Sequence, residues 1–420
     1  MTTRICRLFR KPHTIYIAIV LLLLTAGFAG SQIQEGYFIG QGGGPDEKRN
    51  DETGAGNGDF YSHQNRASYI KSKLPGHLGL DGSGVDVGNQ DGIYNGETHV
   101  DLKGRHHIEH HFGGGGAGGP TGSGDHGNLT AGVLGGNGNR NPRFEGVATG
   151  AMVHSIQAND GAGLSYDIYG TQLGFGEPGT FGQYDERSLA VDSLMLQYPD
   201  KLKLYSAGNF GGTQGGYPRG YGLLNEGTAA AKNVITVGRL NSPAAAYSES
   251  RTSMANPSYG PSRDGRIKPD VIATDFAVMP ADNHTYGVSS GSSFSTPAVS
   301  GVAALLYQYF RNLNDGRNPD GALIKAILMN SADYIDSQGP TFAGGYGGVN
   351  ARRAAEIITG NQFVSGQIDS GRTETISIEI PQRIDGKTIV QAKIMLYWHD
   401  VPGEPNASSA LVNNLDLLVR

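Results

Sequence analysis

Between Asn65 and Ile358 short apolar runs alternate with longer stretches of helical pattern, and this alternation constrains the fold most. Val85-Asp86-Val87, Met152–Ile156, Lys203–Ser206, Val234–Val237 and Asp270–Ala273 read as strands. Glu186–Gln197, Ala298–Phe310 and Ala322–Asn330 read as helices between or after them. Strands that alternate with helices predict an α/β fold, a mostly parallel sheet with helices on both faces. A site is then expected in loops at the carboxyl ends of the strands. After Thr359 the pattern changes to period two, as in Thr375–Ile380, Ile389–Trp398 and Leu411–Val419, with no helical stretch. That predicts an appended β-sandwich, which stops at Arg420 directly after a strand and is read as incomplete.

Bulk composition narrows the function. Of 420 residues, 37% are hydrophobic and 66 are glycine, so the chain should fold, with many tight turns. The formal net charge is -6 and no long Lys/Arg run occurs, which argues against nucleic-acid binding. Cys6 is the single cysteine, so a disulfide framework or a cysteine metal site has no residues to use. Residues 1–29 read as a secretory signal, with Arg4, Arg7, Arg10 and Lys11 ahead of an apolar run from Ile15 to Ala26 and Ala29 at the cut. The run is shorter than a spanning helix needs. The mature protein is expected outside the cell, as a monomer with no stable membrane insertion. Residues 30–64 read as a linker or short pro-segment, 65–358 as the main domain and 359–420 as the β-domain.

Chemistry concentrates in four segments. In Tyr286–Leu306, Gly291-Ser292-Ser293 supplies a tight turn that lifts a serine hydroxyl clear of the backbone. A buried apolar helix follows, with Pro297 expected in its first turn. Its positive end would favour the negative charge that develops on an attacked carbonyl. In Gly124–Gly136, His126 sits in a glycine-rich segment and titrates near working pH. In Gly82–Arg105, Asp91 ends a strand and the pair His99 and Asp101 follows. In Tyr205–Asn209, Gly208-Asn209 offers a side-chain amide.

These segments resemble the motifs of the subtilase family of serine proteases. Gly291–Pro297 resembles G-T-S-M-A-T-P, and His126-Gly127 with Ala131-Gly132 resembles H-G-T-H-V-A-G, from which Asn128, Leu129 and Thr130 depart. Ser206–Asn209 is similar to A-A-G-N. The order Asp, His, Ser, with spacings of 35 and 167 residues, is the subtilisin order. The resemblance implies a secreted serine endopeptidase acting on proteins or peptides. Asp91, His126 and Ser293 would form its triad, and Asn209 would donate to the oxyanion. Gly170, Gly208 and Gly291 would line the substrate. Gly92 directly follows Asp91 where the family has one residue between, so counting back from it points to Gln90; Asp91 is chosen because glutamine cannot ionise. Asp86 is a further alternative. No cofactor is implied for catalysis. Structural calcium is implied by the resemblance, with no ligands to name. Leu396–Gly403 and Leu411–Leu417 resemble the C-terminal jelly-roll of secreted bacterial subtilases. Two rival readings are an inactive peptide-binding subtilase and a surface adhesion protein whose β-domain binds sugars. His106, His107, His110 and His111 flank Glu109 and have metal-ligand chemistry, but the glycine run 113–119 beside them reads as a solvated loop.

Overall fold

The computed structural model describes residues 2–8, 15–25, 65–91, 99–104, 106–108, 126–157, 165–172, 179–211, 221–240, 257–280, 285–334, 339–369, 371–378, 380–384 and 386–419. The linker or pro-segment expected at 30–64 lies outside them. The chain starts with strands β1 (Thr2–Leu8) and β2 (Ile15–Thr25). A short helix α1 (Ala67–Lys71) leads to β3 (Asp86–Asp91) and β4 (His106–Ile108). Helix α2 (His126–Gly135), strands β5 (Met152–Gln157) and β6 (Ile168–Thr171), helix α3 (Glu186–Gln197) and strands β7 (Leu202–Ser206) and β8 (Ile235–Leu240) follow. Strands β9 (Val271–Thr274), β10 (Phe276–Pro280) and β11 (Tyr286–Ser290) precede helix α4 (Ser292–Leu313). Helices α5 (Gly321–Ser331) and α6 (Ala351–Thr359) complete this part.

Seven strands form one parallel sheet in the order β4-β5-β3-β6-β7-β8-β9. Strands β7, β8 and β9 are buried along nearly their whole length, which is why they read as apolar runs. Central β3 is different. Its last three residues, Asn89, Gln90 and Asp91, are polar and buried. Burial of such groups is tolerated when they are hydrogen-bonded, and each of them is. This polar end lies at the carboxyl side of the sheet.

Helix α4 packs against the sheet and against α2. Every residue from Phe294 to Tyr307 is buried, so the helix runs through the core. The sequence places its start later than the structure does. The helix begins at Ser292, so Pro297 is its sixth residue and stands in the second turn. Gly291 makes this early start possible, because its φ of +150° suits a residue without a side chain.

The C-terminal part contains β12 (Phe363–Ile368), β13 (Glu374–Ser377), β14 (Arg383–Ile384), β15 (Lys387–Trp398) and β16 (Asn414–Val419). They form two small sheets, in the orders β12-β2-β15-β14 and β13-β1-β16. The apolar run that the sequence offers as an export signal is thus a middle strand. It pairs antiparallel with β12 and with β15, and Ala18, Ile19, Val20 and Leu21 are buried there. Asn330 of α5 donates its side-chain amide to the Val20 carbonyl at 3.1 Å. No helix among the described residues is long and apolar enough to cross a membrane.

Candidate active site

Strand alternation places Asp91 and Gln90 on opposite faces of β3. The Asp91 carboxylate accepts hydrogen bonds from His126 Nδ1 at 2.8 and 2.9 Å. Gln90 turns the other way, where its Oε1 accepts from the Thr171 hydroxyl and from Lys203. Asp86, at the far end of the strand, pairs with His154 at 2.7 Å. Of the three candidates, the one that meets His126 is Asp91.

His126 is the first residue of α2, and Thr130 lies one turn later on the same helix face. The Thr130 hydroxyl donates to Asp91 Oδ2 at 2.8 Å and accepts from the Asn89 side chain at 3.1 Å. Gln172 Nε2 in turn donates to Asn89 Oδ1 at 2.7 Å. Asp91 is therefore held by His126 and Thr130 in a fully buried position, while the imidazole it holds is about one-third exposed. Burial alone would lower the His126 pKa. The Asp91 charge and hydrogen bond more than offset this, so the net shift is upward from 6.5. With Nδ1 committed to Asp91, Nε2 is the nitrogen left for proton transfer.

Ser293 is the second residue of α4 and is partly exposed. The next residue, Phe294, packs against the His126 ring with centroids 5.4 Å apart. The positive end of the helix dipole lies at this turn and favours negative charge there. Asn209 reaches the same turn from the end of β7. Its Oδ1 accepts from the Ser292 N–H at 2.9 Å, which fixes Nδ2 as the free donor. Nδ2 lies 3.1 Å from where a Cβ on Gly291 would stand. A side chain at Gly291 would crowd that donor. The Gly208 N–H donates to the Ser292 hydroxyl at 3.1 Å, so the loop and the turn are tied in both directions. Gly208 has φ +113°, and a Cβ there would stand 2.8 Å from both Asn225 Oδ1 and Ser258 Oγ.

Gly170 is not brought to this group. It sits in β6, paired with β3 on one side and β7 on the other, and a Cβ would meet Ser300 Oγ of α4 at 2.6 Å. Its neighbourhood is the core, and its strand has no free edge for a peptide. His99 and Asp101 are fully buried. Asp101 accepts from the Tyr286 hydroxyl at 2.7 Å and from the Arg140 N–H at 2.8 Å, tying β11 to this loop. The histidine cluster is corrected in part. His106 is a buried residue of edge strand β4, not part of a solvated loop, and it bonds to the Ser155 hydroxyl. Burial, then His107 and His154, push its pKa down to about 4. His110, His111 and Glu109 lie outside the described residues. Among the described residues no group of three or more His, Cys, Asp or Glu is arranged to hold a metal ion.

Thr130 and Ser292 take part in the site although the sequence does not single them out as site residues. For Thr130 a signal existed, since it stands four residues after His126 on a helix and departs from the motif.

Comparison with known proteins gives the family. The chain is 30% identical over 258 residues to pyrolysin of Pyrococcus furiosus, covering 51% of this chain and 18% of that protein. It is 30% identical over 139 residues to the serine protease AprX of Bacillus subtilis, covering 30% of each. It is 32% identical over 193 residues to the C5a peptidase of Streptococcus pyogenes, covering 38% of this chain and 16% of that one. The chain thus spans less than a third of the length of these relatives. Among solved structures, the CspB protease of Clostridium perfringens superposes with a TM-score of 0.56 at 16% identity. That match covers 70% of this chain and 99% of that one, and shows a shared fold. Residues 82–347, more than half of the chain and the whole of the parallel sheet with its Asp91–His126 pair, match the Subtilase family, and the chain belongs to it.

Proposed function

We propose that the chain is a secreted serine endopeptidase with Asp91, His126 and Ser293 as its triad. The observation that carries the reading is the bidentate Asp91–His126 contact beside the first turn of α4, where Ser293 stands. In this reading Ser293 Oγ attacks the scissile carbonyl and His126 Nε2 accepts its proton. The tetrahedral oxyanion is held by Asn209 Nδ2 and the Ser293 N–H. Collapse breaks the C–N bond, and His126 returns the proton to the departing amine. The acyl group on Ser293 is then transferred to water by the same proton route in reverse. Asp91 keeps the imidazole in the Nδ1–H form and stabilises it when charged. The substrate class is protein or extended peptide. Export rests on the basic residues Arg4, Arg7, Arg10 and Lys11 ahead of the apolar run.

The test is labelling by a fluorophosphonate serine probe. Wild type should label, Ser293→Ala should not, and Asp91→Asn should label far more slowly. A folded wild type that does not label would turn the reading into a peptide-binding subtilase without activity.

A further inference from the structure

Asn209 is gripped from two sides. Its side chain is fixed by the Ser292 N–H, as described above. Its backbone is fixed by a residue far away in sequence, Ser258, which is 1% exposed. The Ser258 hydroxyl accepts the Phe210 N–H at 2.9 Å, and the Ser258 N–H donates to the Gly208 carbonyl at 3.2 Å. One residue thus holds the peptide groups on both sides of Asn209. The Ser258 hydroxyl also stands 2.8 Å from the space a Gly208 side chain would need, so the loop lies directly on it. A donor that must meet an oxyanion within a few tenths of an ångström depends on such support.

We infer that Ser258 is a positioning residue for oxyanion stabilisation, acting by clamping Gly208 and Phe210 so that Asn209 Nδ2 points at the reacting centre. This rests on the reading of Asn209 as an oxyanion donor. Replacing Ser258 by alanine leaves the half-buried Phe210 N–H without this acceptor and frees one side of the loop. The interaction concerned is made with the transition state, so the loss falls on kcat and spares KM.

A double-mutant cycle on the full chain separates this role from general destabilisation. Ser258→Ala should lower kcat about tenfold, a fraction of what removing a donor outright costs. Asn209→Ala alone should cost on the order of a hundredfold or more in kcat. In the Asn209→Ala background the further loss from Ser258→Ala should shrink to less than about twofold, because the donor it positions is gone. Ser258→Cys, with a weaker acceptor of similar shape, should give a smaller loss that also vanishes in that background. It carries the test if the alanine variant does not fold. The same fold-loss in both backgrounds would overturn the inference while leaving Asn209 as a donor. An Asn209→Ala enzyme with unchanged kcat would overturn both, and the two failures are told apart by that single variant.

Discussion

Under the proposed mechanism the Asp91–His126 contact sets where activity begins as pH rises. A general base works only when neutral, so the acid limb of kcat/KM follows the His126 pKa. Asp91 raises that pKa against the opposing effect of burial. The limb is therefore expected above 6.5 in the wild type. In Asp91→Asn the raising contributions disappear and burial remains, so the limb should move to lower pH while kcat drops by about 10⁴-fold. A pH–rate profile of both proteins checks this; a limb that does not move would detach His126 from Asp91. At this scale much was legible in the sequence, because Asp91, His126, Ser293 and Asn209 each carry chemistry in their own side chains and stand in recognisable segments. The ambiguity between Gln90 and Asp91 was not resolvable by counting. It is resolved by the two faces of a strand, one toward His126 and the other toward Lys203 and Thr171. Ser258 was invisible for a different reason: a serine 49 residues beyond Asn209 gives no sign that the chain returns to it.

The elements explain why the site is held firmly. Helix α4 begins at the serine turn and then runs through the core, so the position of Ser293 is locked to the packing of everything behind it. Gly301 marks the tightest point of that packing. A Cβ there would stand 2.6 Å from Val147 Cβ and 3.0 Å from its Cγ1. Gly301→Ala gains about 1 kcal/mol of helix propensity. The overpacking cost, about 1–3 kcal/mol, is expected to exceed it. A urea denaturation midpoint should therefore fall; a rise would mean that the segment at Val147 yields. The sequence showed that this helix is buried, since its apolar residues occupy every face. It did not show where the helix starts, because the φ of Gly291 depends on the Asn209 loop pressed against it. Strand β4 escaped notice because its three residues, His106, His107 and Ile108, have no strand pattern and are set by pairing with β5.

At the scale of the whole molecule, the two ends of the chain meet. Strands β1 and β2 each lie between two C-terminal strands, and β2 also touches the main domain through Asn330. Removing residues 1–29 takes the middle strand from both small sheets. It exposes the edges of β12 and β15, which exposed strands tend to refill by pairing with other chains. In a protein starting at residue 30, amide hydrogen exchange across 387–398 is expected to be faster than in the full chain. Equal protection in the two proteins would show that residues 15–25 do not pair there. A strand buried on both faces must be apolar on both, and a segment offered to a lipid bilayer must be apolar all round. Ala18–Leu21, the buried stretch of β2, is apolar throughout and so suits two solvents, hydrocarbon or protein. Under the proposed export, whichever claims it first denies it to the other, and the timing of folding relative to export would be decided at this one strand.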